Sequence, residues 1–191
     1  MSLLNENVNF VIVPGYTNSG PGHWQSILER KYENVIRVKQ ENWNVPDRVE
    51  WVNGIEKVVS QINGHVFLIG HSCGSIAITQ WAEKNNTKKV MGSILVAPAD
   101  VESEHALEEI KVQRPIPYNK IPFACTVVYS DNDEHLSIER AESFIRSWGC
   151  EGILIKDGGH FHTAAGYGEW SYIEKLIESL SGHNFEEKKY A

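Results

Sequence analysis

The sequence predicts an α/β protein with about six mostly parallel strands flanked by helices. Three observations lead there: six short apolar runs, helix-period apolar stripes between them, and near-regular alternation of the two along 191 residues. Such alternation builds a doubly wound sheet with right-handed crossovers, whose functional loops lie at the carboxyl ends of the strands.

The runs fall at 8–13 (VNFVIV), 34–38 (NVIRV), 65–69 (HVFLI), 90–96 (VMGSILV), 123–129 (FACTVVY) and 152–155 (GILI). They are continuous rather than strictly alternating, which fits strands covered on both faces. Between them, 48–62 places Val49, Val52, Ile55, Val59 and Ile62 on one helical stripe, and Asp47 with Glu50 gives a capping-box-like start. The stretch 75–82 is apolar and helical. Residues 137–148 repeat the stripe with Ile138, Ala141, Phe144, Ile145 and Trp148. The final helix uses Trp170, Ile173, Leu176, Ile177 and Leu180 and stops at Gly182, a C-cap signal. Residues 100–120 are weakly periodic, contain Pro115 and Pro117, and read as an excursion partly covering the site. Residues 183–191, of mixed charge, read as a solvated end.

The length fits one domain over 1–191, with one core. A composition of 41% hydrophobic and 23% charged residues is that of an ordinary globular protein, and no apolar run reaches the ~18 residues of a membrane span. A formal charge of -7, with scattered Lys and Arg, opposes nucleic acid as a partner. Cys73, Cys125 and Cys150 form neither an even disulfide set nor a C-x-x-C pair, and 1–10 lacks the charged and apolar regions of a secretory signal. A cytoplasmic protein is the expectation. No cofactor and no metal are expected: His160 and His162 with Asp131 and Asp133 lack a recognisable third-ligand spacing.

Chemistry enters after the third run, at Gly70-His71-Ser72-Cys73-Gly74, a G-x-S-x-G pattern between a buried strand and a helix. In that setting the serine occupies the strained apex of a sharp turn, and the flanking glycines relieve crowding. A serine hydroxyl needs a base held by an acid, supplied in this architecture in the order Ser, Asp, His. The fifth run leads into Ser130-Asp131-Asn132-Asp133-Glu134, and the sixth into Lys156-Asp157-Gly158-Gly159-His160. His160 is the candidate base and Asp133 the candidate acid, with Asp131 the fallback and Glu134 on the same turn. The backbone amides of Cys73 and Tyr16, the latter on the glycine-rich loop after the first strand, are candidates for an oxyanion hole. That loop fits no phosphate-binding pattern. Trp43 and His162 are candidate pocket residues, Trp51 a core residue, and His23 and His71 loop-packing groups.

The chain resembles the small serine hydrolases of the retinoblastoma-binding protein 9 type, in particular their bacterial branch. The resemblance rests on Val13-Pro14-Gly15 with 20–24, on Asn42-Trp43 with Pro46 and Trp51, on the Gly70 to Gly74 motif, on Leu95-Val96-Ala97-Pro98, and on Gly159-His160 followed by Gly166-Tyr167-Gly168-Glu169-Trp170. It implies a compact α/β-hydrolase fold without a large lid and a triad of Ser72, Asp133 and His160. Two positions depart from that pattern: Asp133-Glu134-His135 stands where the family often has proline after the acid, and His162 where bacterial members often carry asparagine. Two functions follow as expectations. One is an esterase-like hydrolase acting on small or medium acyl substrates; the other is an interaction module that binds a protein partner on a hydrolase scaffold.

Overall fold

The structure is a computed structural model that describes residues 7–189. Residues 1–6, on which most of the signal-sequence reading falls, and the last two residues of the expected tail lie outside the described residues. Six strands form one sheet: β1 (Val8–Val13), β2 (Val35–Arg37), β3 (His65–His71), β4 (Val90–Val96), β5 (Ala124–Ser130) and β6 (Glu151–Ile155). Their order is β2-β1-β3-β4-β5-β6, and every neighbouring pair is parallel.

The continuous apolar runs have a direct cause. In β1, Val11 and Val13 face one buried cluster while Phe10 and Ile12 face the other; in β3, Leu68 and Phe67 divide in the same way. On the first face lie α2 (Arg48–Gln61), α3 (Cys73–Lys84) and α4 (Ile138–Trp148), through Trp51, Ile55, Ile76, Phe144 and Trp148. The second face is covered by α1 (Trp24–Lys31) and α5 (Ser171–Ser181), through Trp24, Leu28, Ile173 and Ile177. Side chains on a strand alternate between faces, so a doubly covered strand carries apolar residues on both and reads as a near-continuous apolar run.

Four details differ from the sequence expectation. Helix α1 has no clear apolar stripe because Gln25 and Ser26 are buried in it: Gln25 Nε2 donates to the carbonyls of Val13 (3.3 Å) and Ile69 (3.1 Å), and Ser26 Oγ to that of Ser19 (2.8 Å). In α2 the start is as read, with the Asp47 carboxylate accepting from the amides of Val49 and Glu50, but Val49 is 66% exposed and the tryptophan at position 51 takes the inward place. Leu180 in α5 is 41% exposed, although Gly182 caps the helix in the left-handed conformation (φ 70°). Residues 183–189 are not a free end. Phe185 is buried, stacked on Tyr32 at 4.6 Å and packed on Phe10 at 4.4 Å, while the amides of Glu186 and Lys188 donate to Asn34 Oδ1 and the Lys31 carbonyl. One aromatic with somewhere to pack outweighs the polarity of its neighbours.

The chain reverses its direction of winding between β1 and β3, so the loops leaving these two strands meet at one place. Open parallel sheets hold their sites at such switch points.

Candidate active site

Ser72 stands between β3 and α3 with φ 54° and ψ -124°, a conformation unfavourable for a residue with a side chain. The turn is held by the Ser72 amide donating to the Val96 carbonyl at 3.0 Å and by the Ser75 amide donating to the Ser72 carbonyl at 3.0 Å. Its glycines are needed for close approach. A Cβ at Gly74 would lie 2.0 Å from the Val13 carbonyl oxygen, and one at Gly70 would lie 2.8 Å from Ser75 Cα. Without a side chain at 74, α3 can start directly against the end of β1.

His160 brings its imidazole to this serine from the loop after β6, with Nε2 2.8 Å from Ser72 Oγ. Its other nitrogen, Nδ1, lies 2.9 and 3.0 Å from the two oxygens of Asp133, which comes from the loop after β5. A carboxylate can only accept, so Nδ1 carries the proton and Nε2 is left to accept from the serine hydroxyl. The Asp133 side chain is 0% exposed and also accepts from the His135 amide at 2.8 Å, which fixes its rotamer. The competing acids are elsewhere. Asp131 accepts from the Asp157 amide at 2.7 Å, and the Glu134 side chain is 74% exposed.

Gly15 abuts the serine: a Cβ there would sit 3.0 Å from Ser72 Cβ and 3.4 Å from the Cys73 amide nitrogen. The loop after β1 therefore runs beside the start of α3. Tyr16 and Cys73 both line the cavity at Ser72, and among the described residues neither backbone amide donates to a backbone carbonyl. Burial pushes the Cys73 thiol up to about 12, so it stays protonated.

The cavity is about 220 Å³ and is walled by this loop, by Ala99, Leu107 and Ile110, and by His23, His135, His160 and His162. Leu107 and Ile110 come from the 100–120 excursion, which covers the site as its composition predicts. It is anchored by Gln113, the last residue of a 3-10 turn (Glu108–Gln113), whose Nε2 donates to the Cys73 carbonyl at 2.8 Å. His162 is at the cavity, with Nδ1 accepting from the Ala165 amide at 3.1 Å. Trp43 is not. Its ring packs edge-on against Trp51 at 5.8 Å, and its carbonyl accepts from the Thr17 amide, so it supports the loop after β1 from behind.

Sequence reasoning did not assign His23, His71 or His135 to the site. His23 caps α1, with Nδ1 accepting from the Gln25 amide, and burial, reinforced by Arg37, draws its pKa down to about 3. Burial likewise holds His71 far below the usual imidazole range, and lowers His135, whose ring meets His160 edge-on at 4.7 Å. Burial thus holds all three rings towards the neutral form. Each lies inside or beside a motif that could have pointed to it: His23 in residues 20–24, His71 in G-H-S-C-G and His135 two residues after Asp133. Among the described residues no three His, Cys, Asp or Glu side chains form a metal-binding group, and no helix is long and apolar enough to cross a membrane.

Comparison with known proteins gives a consistent picture. The profile of a family described as serine hydrolase matches residues 10–179. No curated protein sequence matches the chain. Among solved structures, a protein described as a YdeN-like hydrolase from Pectobacterium atrosepticum is similar with a TM-score of 0.82 and 29% identity, over 92% of this chain and 91% of that one. The ydeN gene product of B. subtilis gives 0.67 and 16%, over 92% and 99%. Mouse α/β hydrolase domain-containing protein 10 gives 0.62 and 17%, over 91% and 90%. The six-stranded parallel sheet with its flanking helices is thus an α/β-hydrolase fold.

Proposed function

Because the chain belongs to the serine hydrolase family, we propose that it is an esterase-like enzyme that cleaves small or medium acyl substrates through an acyl intermediate on Ser72. One observation carries the reading: Ser72 Oγ, the His160 imidazole and the Asp133 carboxylate stand in a hydrogen-bonded line, 2.8 and 2.9 Å per link, at the wall of a cavity. The finer placing, among hydrolases of the retinoblastoma-binding protein 9 type, belongs to the same proposal and rests on the motifs around Ser72 and His160. So does a cytoplasmic location, with which the free thiols of Cys73, Cys125 and Cys150 agree.

In the proposed reaction Ser72 Oγ attacks the acyl carbonyl carbon while its proton passes to His160 Nε2. Asp133 holds the imidazole in the required tautomer and stabilises the imidazolium. The strained turn makes Ser72 a nucleophile elbow, and the backbone amides of Tyr16 and Cys73 donate to the developing oxyanion. Collapse of the tetrahedral intermediate expels the leaving group, which takes the proton from His160. Water then repeats the sequence on the acyl-enzyme and frees Ser72. Ala99, Leu107 and Ile110 provide an apolar wall for the acyl chain, and a cavity of about 220 Å³, small beside the ~300–1,000 Å³ typical of ligand sites, favours short chains.

The direct test is a panel of p-nitrophenyl esters of graded acyl length with wild type and Ser72→Ala. Turnover should fall with chain length and drop in the variant by about 10³-fold or more, with an unchanged circular dichroism spectrum. Equal turnover in a folded Ser72→Ala protein overturns the mechanism.

A further inference from the structure

The loop that carries His160 has a backbone that would not hold its shape unaided. Asp157, Gly159 and Phe161 all have positive φ, at 56°, 59° and 52°, and two of the three bear side chains that disfavour this conformation. Strain of this kind persists only where the surroundings over-determine it, and here five side chains do so. Asp131 Oδ1 accepts from the Asp157 amide at 2.7 Å, and Asn132 Oδ1 from the Gly159 amide at 2.6 Å. Ser130 Oγ donates to the Gly159 carbonyl at 2.5 Å, His71 Nε2 to the His160 carbonyl at 2.8 Å, and Trp24 Nε1 to the Phe161 carbonyl at 3.0 Å. The bonds follow one another along the backbone from 157 to 161 without involving the His160 side chain.

We propose that His71 and Asn132 are positioning residues that fix the His160 backbone so that its imidazole reaches Ser72 and Asp133 together. The inference rests on the catalytic reading of those three residues. It gives a role to two motif positions that this reading leaves idle. The residue before the nucleophile grips the backbone of the base, so that Ser72 and the loop it must meet are referenced to the same turn. In the Asp131-Asn132-Asp133 turn, the first two residues grip that loop's backbone and the third its imidazole. His71 suits the task because its acceptor, a carbonyl, requires the proton on Nε2, and burial favours the neutral ring that donates there. Its ring packs against those of His23, at 4.8 Å, and His160, at 5.1 Å.

The test measures kcat and KM on p-nitrophenyl acetate, and the rate of fluorophosphonate labelling, for wild type, His71→Leu, His71→Gln and Asn132→Ala. Asn132 is exposed, so its variant stays folded even if the buried His71→Leu does not. A displacement of about 1 Å at a reacting group costs about 100-fold, so kcat should fall about 10- to 100-fold in Asn132→Ala and His71→Leu, with KM within about twofold. His71→Gln, which returns a donor at the Nε2 position, should recover most of the loss. The proposal is overturned if Asn132→Ala keeps kcat within about threefold of wild type, or if folded His71→Leu does as well as His71→Gln. A wild type that neither turns over nor labels at Ser72 overturns the catalytic reading instead, so the two failures are told apart.

Discussion

The identity of the acid is the sharpest quantitative consequence of this geometry, and Asp133→Asn against Asp131→Asn measures it. Asparagine at 133 keeps the shape of the buried side chain and an oxygen to accept from the His135 amide, which the carboxylate does at 2.8 Å. The fold should therefore survive, at a cost of about 1 kcal/mol for the weakened bond to His160. The chemistry should not. An amide NH₂ facing Nδ1 moves the imidazole proton to Nε2, where it blocks acceptance from Ser72 Oγ, and the charge opposite the imidazolium is gone. In a serine protease the same replacement lowers kcat by about 10⁴, which corresponds to about 5 kcal/mol of transition-state stabilisation. Asp131→Asn retains its oxygen for the Asp157 amide and should stay within about threefold of wild type. Steady-state kinetics on one soluble ester, with urea unfolding of both variants, decides the matter. A crippled Asp131→Asn beside an Asp133→Asn within about tenfold of wild type would refute the assignment.

Three further outcomes concern stability. His23 has its folded pKa drawn down to about 3 from 6.5, so between those values the unfolded chain binds the extra proton; stability should fall as pH drops from about 6.5 towards 3, and His23→Gln should flatten that part of a urea-midpoint profile. His71 contributes with the same sign. Gly74→Ala has no room 2.0 Å from the Val13 carbonyl oxygen and should cost about 3 kcal/mol or more, or shift α3 against β1, read as a lowered urea midpoint; a midpoint equal to wild type would contradict the packing. Phe185→Ala should cost about 3 kcal/mol by removing a buried ring from Tyr32 and Phe10, whereas a solvated tail would lose nothing.

Much of this was legible because the physics acts locally. Strands covered on both faces are apolar along most of their length, so the runs at 8–13 and 90–96 mark β1 and β4 to the residue. Ser72, Asp133 and His160 could be ordered because each follows such a run. What escaped depends on partners distant in sequence. Helix α1 hid because Gln25 satisfies the carbonyls of β1 and β3, and the tail hid because a single Phe185 anchors it. Trp43 read as a pocket residue because a tryptophan among polar neighbours gives no sign that Trp51 lies beneath it. His71 read as packing because its bond runs to a carbonyl 89 residues away.

The central claim is that Ser72 is a covalent nucleophile activated by His160. Incubation with a fluorophosphonate followed by mass mapping tests it most directly. One adduct per chain on the peptide containing Ser72, absent in Ser72→Ala and strongly slowed in His160→Ala, is the expected result. An unlabelled Ser72 in folded wild type, or labelling undiminished by His160→Ala, would contradict it.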